Sequence, residues 1–294
     1  MNIEQQTYTY KRVGDCEINA DVHRRRDHVV RPAIVWIHGG ALIMGHRENI
    51  NERQRDLYVN AGYTVISIDY RLAPKVKLGA IIEDVQDALR WVREDGPALF
   101  HVAPGRIAVV GHSGGGYLAL ITGFRVEPRP QALVSFYGYG DITGEWYSRP
   151  DPFYCRAALV SREEAYAAVG GPVISEARGP HRRDRFYLYC RQHGRWPQEV
   201  TGHDPHRDPQ AFDQYCPARN VTADYPPALL LHGTADTDVP YEQSVMMAEA
   251  LARAGVEHEL LSICDGGHGF DGADTPDVTA IFRRVLAFLE QHLA

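Results

Sequence analysis

The segment Val109-Val110-Gly111-His112-Ser113-Gly114-Gly115-Gly116 sets a serine at the junction between an apolar strand and a glycine-rich helix start. Arg106 to Val110 is a short β-branched run, and Tyr117 to Phe124 reads as the first turns of a packed helix, so Ser113 belongs to neither element. A sharp strand-to-helix turn forces its apical residue into a strained backbone conformation, and side chains on the flanking residues would collide with the neighbouring strand and helix. Glycines at 111 and 115 meet that demand. The arrangement is that of a nucleophile elbow. With 27 glycines in the chain, such a pattern can also arise by accident, so its weight depends on what accompanies it.

A serine hydroxyl is a weak nucleophile at neutral pH and needs a histidine base, which in turn needs a carboxylate to fix its tautomer and stabilise the imidazolium. Both follow downstream. Ala228 to Gly233 is an apolar run leading into Thr234-Ala235-Asp236-Thr237-Asp238-Val239-Pro240, which puts carboxylates just past a strand end. Glu259 to Ile263 is a further strand, and it runs into Asp265-Gly266-Gly267-His268-Gly269-Phe270, a histidine on a glycine-rich loop. Spacing leaves Asp236 and Asp238 both eligible as the acid. Asp265 and Asp271, flanking the histidine, read as loop-capping or solvated groups. A third strand, Ala33 to His38, ends in Gly39-Gly40-Ala41. Glycines there let backbone N–H groups approach a substrate oxyanion, so Gly39, Gly40 and Gly114 are the expected oxyanion-hole donors. His38 reads as an anchor of its loop, not a base.

Together, His38-Gly39-Gly40, Asp69-Tyr70-Arg71-Leu72-Ala73-Pro74, Gly111-His112-Ser113-Gly114-Gly115, His232-Gly233-Thr234-Ala235-Asp236 and His268 resemble the α/β-hydrolase superfamily. More narrowly, they resemble its hormone-sensitive-lipase-like and prolyl-oligopeptidase-like esterases, over about residues 15 to 293. The resemblance implies a catalytic triad of Ser113, Asp236 and His268, with the acid at the first of the two aspartates. It also implies a serine carboxylesterase that acts on small to medium acyl esters through an acyl-enzyme, with no metal or organic cofactor. Asp69 and Arg71 are read as a structural pair. Two departures are plain: the relatives carry a third glycine where this chain has Ala41, and an Asp before the nucleophile where it has His112. Ala41 and His112 are therefore expected to face the substrate. Around Asp236 the sequence is also similar to prolyl-oligopeptidase-like domains, so a peptidase or amide hydrolase stays open. A non-catalytic binding protein on the same scaffold is a third reading, since a fold does not fix a function.

The rest of the chain fits an α/β-hydrolase fold with a mostly parallel eight-stranded sheet flanked by helices. A hairpin over Thr7 to Val13 and Glu17 to His23 opens the sheet, parallel-type strands follow at Ala33 to His38, Tyr63 to Asp69, Arg106 to Val110 and Ala132 to Tyr137, and the two strands above close it. Ile81, Ile82, Val85, Ala88, Leu89 and Val92 recur at helical spacing, and a final helix carries Val278, Ile281, Phe282, Val285, Phe288 and Leu289 on one stripe. Residues 141–219, rich in proline, arginine and aromatics, interrupt this pattern and are expected to form a helical cap inserted into a core of residues 1–140 and 220–294. Helices are expected from the N-cap Ser161 and over Arg183 to His193. Trp146 and Tyr187 are the cap aromatics expected at the substrate pocket.

Charge and composition narrow the partners. Thirty-one basic against 38 acidic residues give a net charge of -7, which offers no reason to expect nucleic acid or an anionic membrane. The expected partner is a small-molecule ester, and related esterases leave a homodimer open. Five scattered cysteines form no metal-ligand spacing, and free thiols are expected. The His203, Asp204, His206, Asp208 run, interrupted by Pro205, reads as a solvated loop, not a metal site. The N-terminus has neither a basic start nor an apolar run, so no signal peptide is expected and the location is read as cytoplasmic.

Overall fold

The structure, a computed structural model, describes residues 3–178, 183–273 and 275–294. Its strands are β1 (Ile3–Val13), β2 (Cys16–Arg25), β3 (Arg31–Ile37), β4 (Thr64–Ile68), β5 (Val102–His112), β6 (Ala132–Phe136), β7 (Ala228–Gly233) and β8 (His258–Ile263). They form one eight-stranded sheet in the order β1-β2-β4-β3-β5-β6-β7-β8. The β1/β2 and β2/β4 pairs are antiparallel and every pair from β4/β3 to β7/β8 is parallel.

Side chains that alternate along each central strand build two apolar layers. Val35 and Ile37 of β3 and Ile107 and Val109 of β5 face one layer, while Ile34, Trp36, Ala108 and Val110 face the other. The first layer is covered by α2 (Leu78–Glu94), α4 (Gly114–Arg125) and α9 (Glu242–Arg253), and the second by α1 (Glu52–Asn60) and α10 (Pro276–Leu293). The short α3 (Gly96–Phe100) leads into β5.

This topology decides where a site can form. From β3 the chain moves outward to β4 through α1 on one face, then crosses back through α2 and emerges as β5 on the other side of β3, followed by α4 on the opposite face. The loops that leave the C-terminal ends of β3 and β5 thus diverge. A crevice at such a switch point is where open α/β sheets place ligands.

Between β6 and β7 the chain forms α5 (Glu145–Ser148), α6 (Arg162–Ala168), α7 (Arg183–His193) and α8 (Trp196–Thr201). Ser161 caps α6 as expected: its hydroxyl accepts from the Glu164 amide, and the Glu164 carboxylate accepts from the Ser161 amide in return. This segment is not a detached lobe. Tyr147, Phe186, Trp196, Val200 and Phe212 belong to the same apolar cluster as Val35 and Val109. The Trp196 indole donates to the Ala41 carbonyl at 3.0 Å, and the Arg183 guanidinium donates to the carbonyls of Ile43 and Ala73. Those bonds tie the segment to the loops after β3 and β4. All five cysteines are free thiols, and among the described residues no helix is long and apolar enough to cross a membrane.

One expected pair is corrected. Asp69 does not meet Arg71: it accepts from the Arg47 amide at 2.7 Å and its guanidinium at 2.6 Å, while Arg71 is held by Asp84, a residue of α2. Arg47 also reaches Asp21 at 2.9 Å and Glu176 at 2.6 Å, so one buried guanidinium fastens β2, the end of β4 and the inserted segment. Asp21 and Asp69 are 1% and 0% exposed, and removing their shared cation leaves buried charge uncompensated. Arg47→Ala is expected to destabilise the fold by about 3–5 kcal/mol. Urea unfolding followed by circular dichroism checks this; a loss under about 1 kcal/mol would show that water or other cations take over the two carboxylates.

Candidate active site

Ser113 stands between β5 and α4 with φ 53° and ψ -120°, in the left-handed half of conformational space that a residue with a Cβ seldom enters. Its amide donates to the Phe136 carbonyl of β6 at 2.9 Å, which fixes the turn. The glycines on either side are steric necessities: a Cβ on Gly115 would lie 2.1 Å from the Ile37 carbonyl oxygen, and one on Gly111 would lie 2.0 Å from that of Gly115. The elbow read from the sequence is present.

The three expected residues meet. The Ser113 hydroxyl lies 3.1 Å from Nε2 of His268, and Nδ1 of His268 donates to Oδ2 of Asp236 at 2.7 Å. Asp236 is fully buried, and its Oδ1 accepts the amides of Asp238 and Val239, a turn that fixes the carboxylate. His232 Nε2 stands 3.3 Å from Oδ2. Burial would raise the Asp236 pKa, but the hydrogen bonds from His232 and His268, the charge on His268 and the Val239 amide outweigh it and hold the carboxyl well below its usual range. For His268, burial disfavours the charged ring. The bond to Asp236 and the charges of Asp238, Asp236 and Asp271 outweigh that cost and raise its pKa above the usual 6.5.

Asp238, the rival acid, sits on the other side of the ring, with Oδ2 3.4 Å from Nε2 of His268. Its Oδ1 accepts from the Tyr154 hydroxyl at 2.7 Å, the Tyr187 hydroxyl at 2.5 Å and the Arg191 guanidinium at 2.5 Å. The two aspartates are therefore distinct in place: Asp236 meets Nδ1, and Asp238 faces Nε2.

The loop after β3 approaches the elbow closely. Gly40, Ala41 and Leu42 all have positive φ, at 98°, 53° and 62°, and the position of a Cβ on Gly114 would fall 3.2 Å from the amide nitrogens of Ala41 and Leu42. Among the described residues, no hydrogen bond uses the amides of Gly40, Ala41 or Gly114. Ala41, expected only as a lining residue, thus brings its own amide against Gly114. Gly39 packs on the elbow, with its missing Cβ 2.9 Å from the His112 carbonyl oxygen. His38 is buried, stacks on Tyr70 at 4.2 Å and bonds the Gly39 carbonyl through Nδ1, the anchoring role expected of it.

These groups open into a cavity of about 790 Å³ lined by Trp36, Gly39, Gly40, Ala41, His112, Ser113, Tyr137, Tyr154, Tyr187, Asp238, His268 and Asp271, among others. Of the residues expected at the substrate, Tyr187, Ala41 and His112 are among those lining it. Trp146 is not: its ring stacks on Tyr147 at 3.6 Å, inside the packing between the inserted segment and the sheet. Asp271 corrects another expectation, being 5% exposed instead of solvated. The Trp36 indole donates to Nδ1 of His112 at 3.1 Å, so the His112 proton resides on Nε2, which faces Asp271 Oδ2 at 3.1 Å. Tyr137 donates to Asp271 Oδ1 at 2.7 Å. The loop that carries His268 is thereby moored to the ends of β5 and β6. Nothing local in the sequence distinguishes Asp271 or Arg191 from surface residues. Among the described residues no cluster of His, Cys, Asp and Glu could hold a metal ion.

Residues 34–272 match the family model of the alpha/beta hydrolase fold. The chain belongs to this family. Among solved structures, the α/β hydrolase here superposes on a protein of unknown function from Staphylococcus aureus with a TM-score of 0.78 at 24% identity, covering 95% of this chain and 96% of that one. It also superposes on the Pyrobaculum calidifontis esterase with a TM-score of 0.71 at 26% identity, covering 100% of this chain and 86% of that one. In sequence it is 29% identical, over 92% of its length, to the non-reducing polyketide synthase adrD of Penicillium rubens. It spans only 13% of that relative's length.

The raised His268 pKa has a direct readout. In an NMR titration the His268 ring is expected to protonate with a midpoint above 6.5, and Asp238→Asn is expected to lower that midpoint by removing one of the carboxylates that stabilise the charged ring. A midpoint below 6.5 in the wild type would mean that burial dominates.

Proposed function

We propose that this α/β hydrolase is a serine carboxylesterase that cleaves small to medium acyl esters through an acyl-enzyme on Ser113. The observation that carries this reading is the unbroken line from the Ser113 hydroxyl through His268 to the buried Asp236 carboxylate, opening into a cavity beside unused backbone amides. The esterase named among its structural relatives supports it.

The chemistry follows from the atoms. As Ser113 Oγ attacks the acyl carbon, its proton passes to Nε2 of His268, and Asp236 stabilises the imidazolium at Nδ1. The carbonyl oxygen becomes an oxyanion, for which the amides of Gly39, Gly40 and Gly114 are the expected donors, with that of Ala41 also unused beside them. Collapse of the tetrahedral species breaks the bond to the alcohol oxygen, which takes the proton from Nε2 and leaves. Water then repeats the sequence on the acyl-enzyme, with His268 again as base, and releases the acid and the free serine. Within this reading residues 141–219 act as a cap that shapes the acyl and alcohol pockets, and the free thiols fit a reducing cytoplasmic compartment.

Hydrolysis of nitrophenyl esters from acetate to laurate tests the proposal. Ser113→Ala and His268→Ala are each expected to lower kcat by up to about a millionfold, and the double variant to cost little more, because the residues act as one unit. Asp236→Asn is expected to cost less, about ten-thousandfold. Full turnover in Ser113→Ala would overturn the mechanism. Because the raised His268 pKa keeps the ring protonated over a wider range, kcat/KM is expected to fall on acidification with a midpoint above 6.5; a profile flat down to pH 5 would exclude His268 as the base.

A further inference from the structure

Asp238 is held for a purpose that the triad does not require. Three donors converge on one of its oxygens: Tyr154 and Tyr187 through their hydroxyls and Arg191 through its guanidinium. Arg191 is 1% exposed and is itself paired with Asp151 at 2.6 Å. The second oxygen, Oδ2, accepts from none of these groups. It borders the cavity 3.4 Å from Nε2 of His268. Among the described residues, no Lys or Arg lines the cavity, and the cation paired with Asp238, Arg191, meets it at Oδ1.

Nε2 is the atom that hands a proton to the departing alcohol oxygen, so Asp238 Oδ2 stands beside the leaving group and not beside the acyl chain. A carboxylate oxygen is an acceptor only. Resting on the reading of Ser113 and His268 as a hydrolytic pair, we propose that Asp238 selects the alcohol half of the substrate: the protein takes esters of vicinal diols and polyols, whose neighbouring hydroxyl donates to Asp238 Oδ2. An alkyl group at that position would leave the carboxylate oxygen without a donor, and a carboxylate would be repelled.

The test compares two butyrate esters that differ only at the relevant position, 2-hydroxyethyl butyrate and n-propyl butyrate. Wild-type kcat/KM is expected to favour the hydroxyethyl ester by about 10- to 100-fold, the range of a hydrogen bond to a charged group. In Asp238→Asn the three converging donors keep the amide oxygen at the Oδ1 position and turn the NH2 group towards the pocket. The acceptor becomes a donor, and the preference is expected to shrink to near one or invert. Equal wild-type rates on the two esters overturn the proposal while leaving ester hydrolysis standing. A preference that survives intact in folded Asp238→Asn also overturns it. Turnover of neither ester overturns the hydrolytic reading and this one together. Should the variant fail to fold, the wild type still decides: 3-(butyryloxy)propanoate, with a carboxylate in place of the hydroxyl, is expected to react about tenfold or more slower than n-propyl butyrate, and equal rates overturn the proposal.

Discussion

The first turn of α4 approaches the end of β3 so closely that no side chain fits between them, the missing Cβ of Gly115 standing 2.1 Å from the Ile37 carbonyl oxygen. That contact fixes the direction in which α4 leaves β5, and with it the positive φ of Ser113. It also fixes the distance between the elbow and the loop after β3, whose amides run beside Gly114. Ser113 and the loop after β3 come from segments over seventy residues apart in sequence, and one backbone-on-backbone contact sets their relation. Strain at the serine is tolerable because the sheet around it is over-determined: β5 is flanked on both sides by parallel partners, and the Ser113 amide is itself bonded to β6.

Much of this was legible in the chain because Ser113, Asp236 and His268 each follow an apolar run. Strand periodicity locates Ser113, Asp236 and His268 at strand ends, and a parallel sheet brings those ends to one edge. Charged partners were not legible in the same way. Asp69 and Arg71 sit two apart in sequence, yet Arg47 and Asp84 claim them, because ion pairs across elements leave no periodic trace. Asp271 looks like any loop carboxylate, and only the fold shows that His112 and Tyr137 lie against it. Trp146 failed as a pocket residue for a related reason: composition locates aromatics in the inserted segment but not which face each one turns to, and Trp146 turns towards Tyr147.

The choice between Asp236 and Asp238 shows how a two-residue offset acquires meaning. Asp236 Oδ1 accepts the amides of residues 238 and 239, and this turn sends the two side chains to opposite sides of the His268 ring. One carboxylate is buried with histidine neighbours, and the other borders the cavity with tyrosine and arginine donors. Both raise the imidazole pKa, but only Asp236 touches Nδ1 and so fixes which ring nitrogen carries the proton. A search by residue type treats them as equivalent, whereas their neighbours do not.

The donors around Asp238 come from the inserted segment. Tyr187 and Arg191 lie four apart on α7, so one helical face delivers both to the same oxygen, and the Arg191 guanidinium bonds the Tyr187 hydroxyl at 2.7 Å. Arg191 is buried among the rings of Trp146, Tyr147 and Tyr154 and gives its second arm to Asp151. A buried arginine of this kind is costly unless every partner is in place, so α7 cannot shift without exposing an unpaired charge. The inserted segment, whose Tyr154 and Tyr187 line the cavity, is therefore also what holds Asp238 in the cavity wall. Variation in this segment would then change the shape of the cavity without disturbing Ser113, Asp236 and His268, whose positions are set by the sheet beneath.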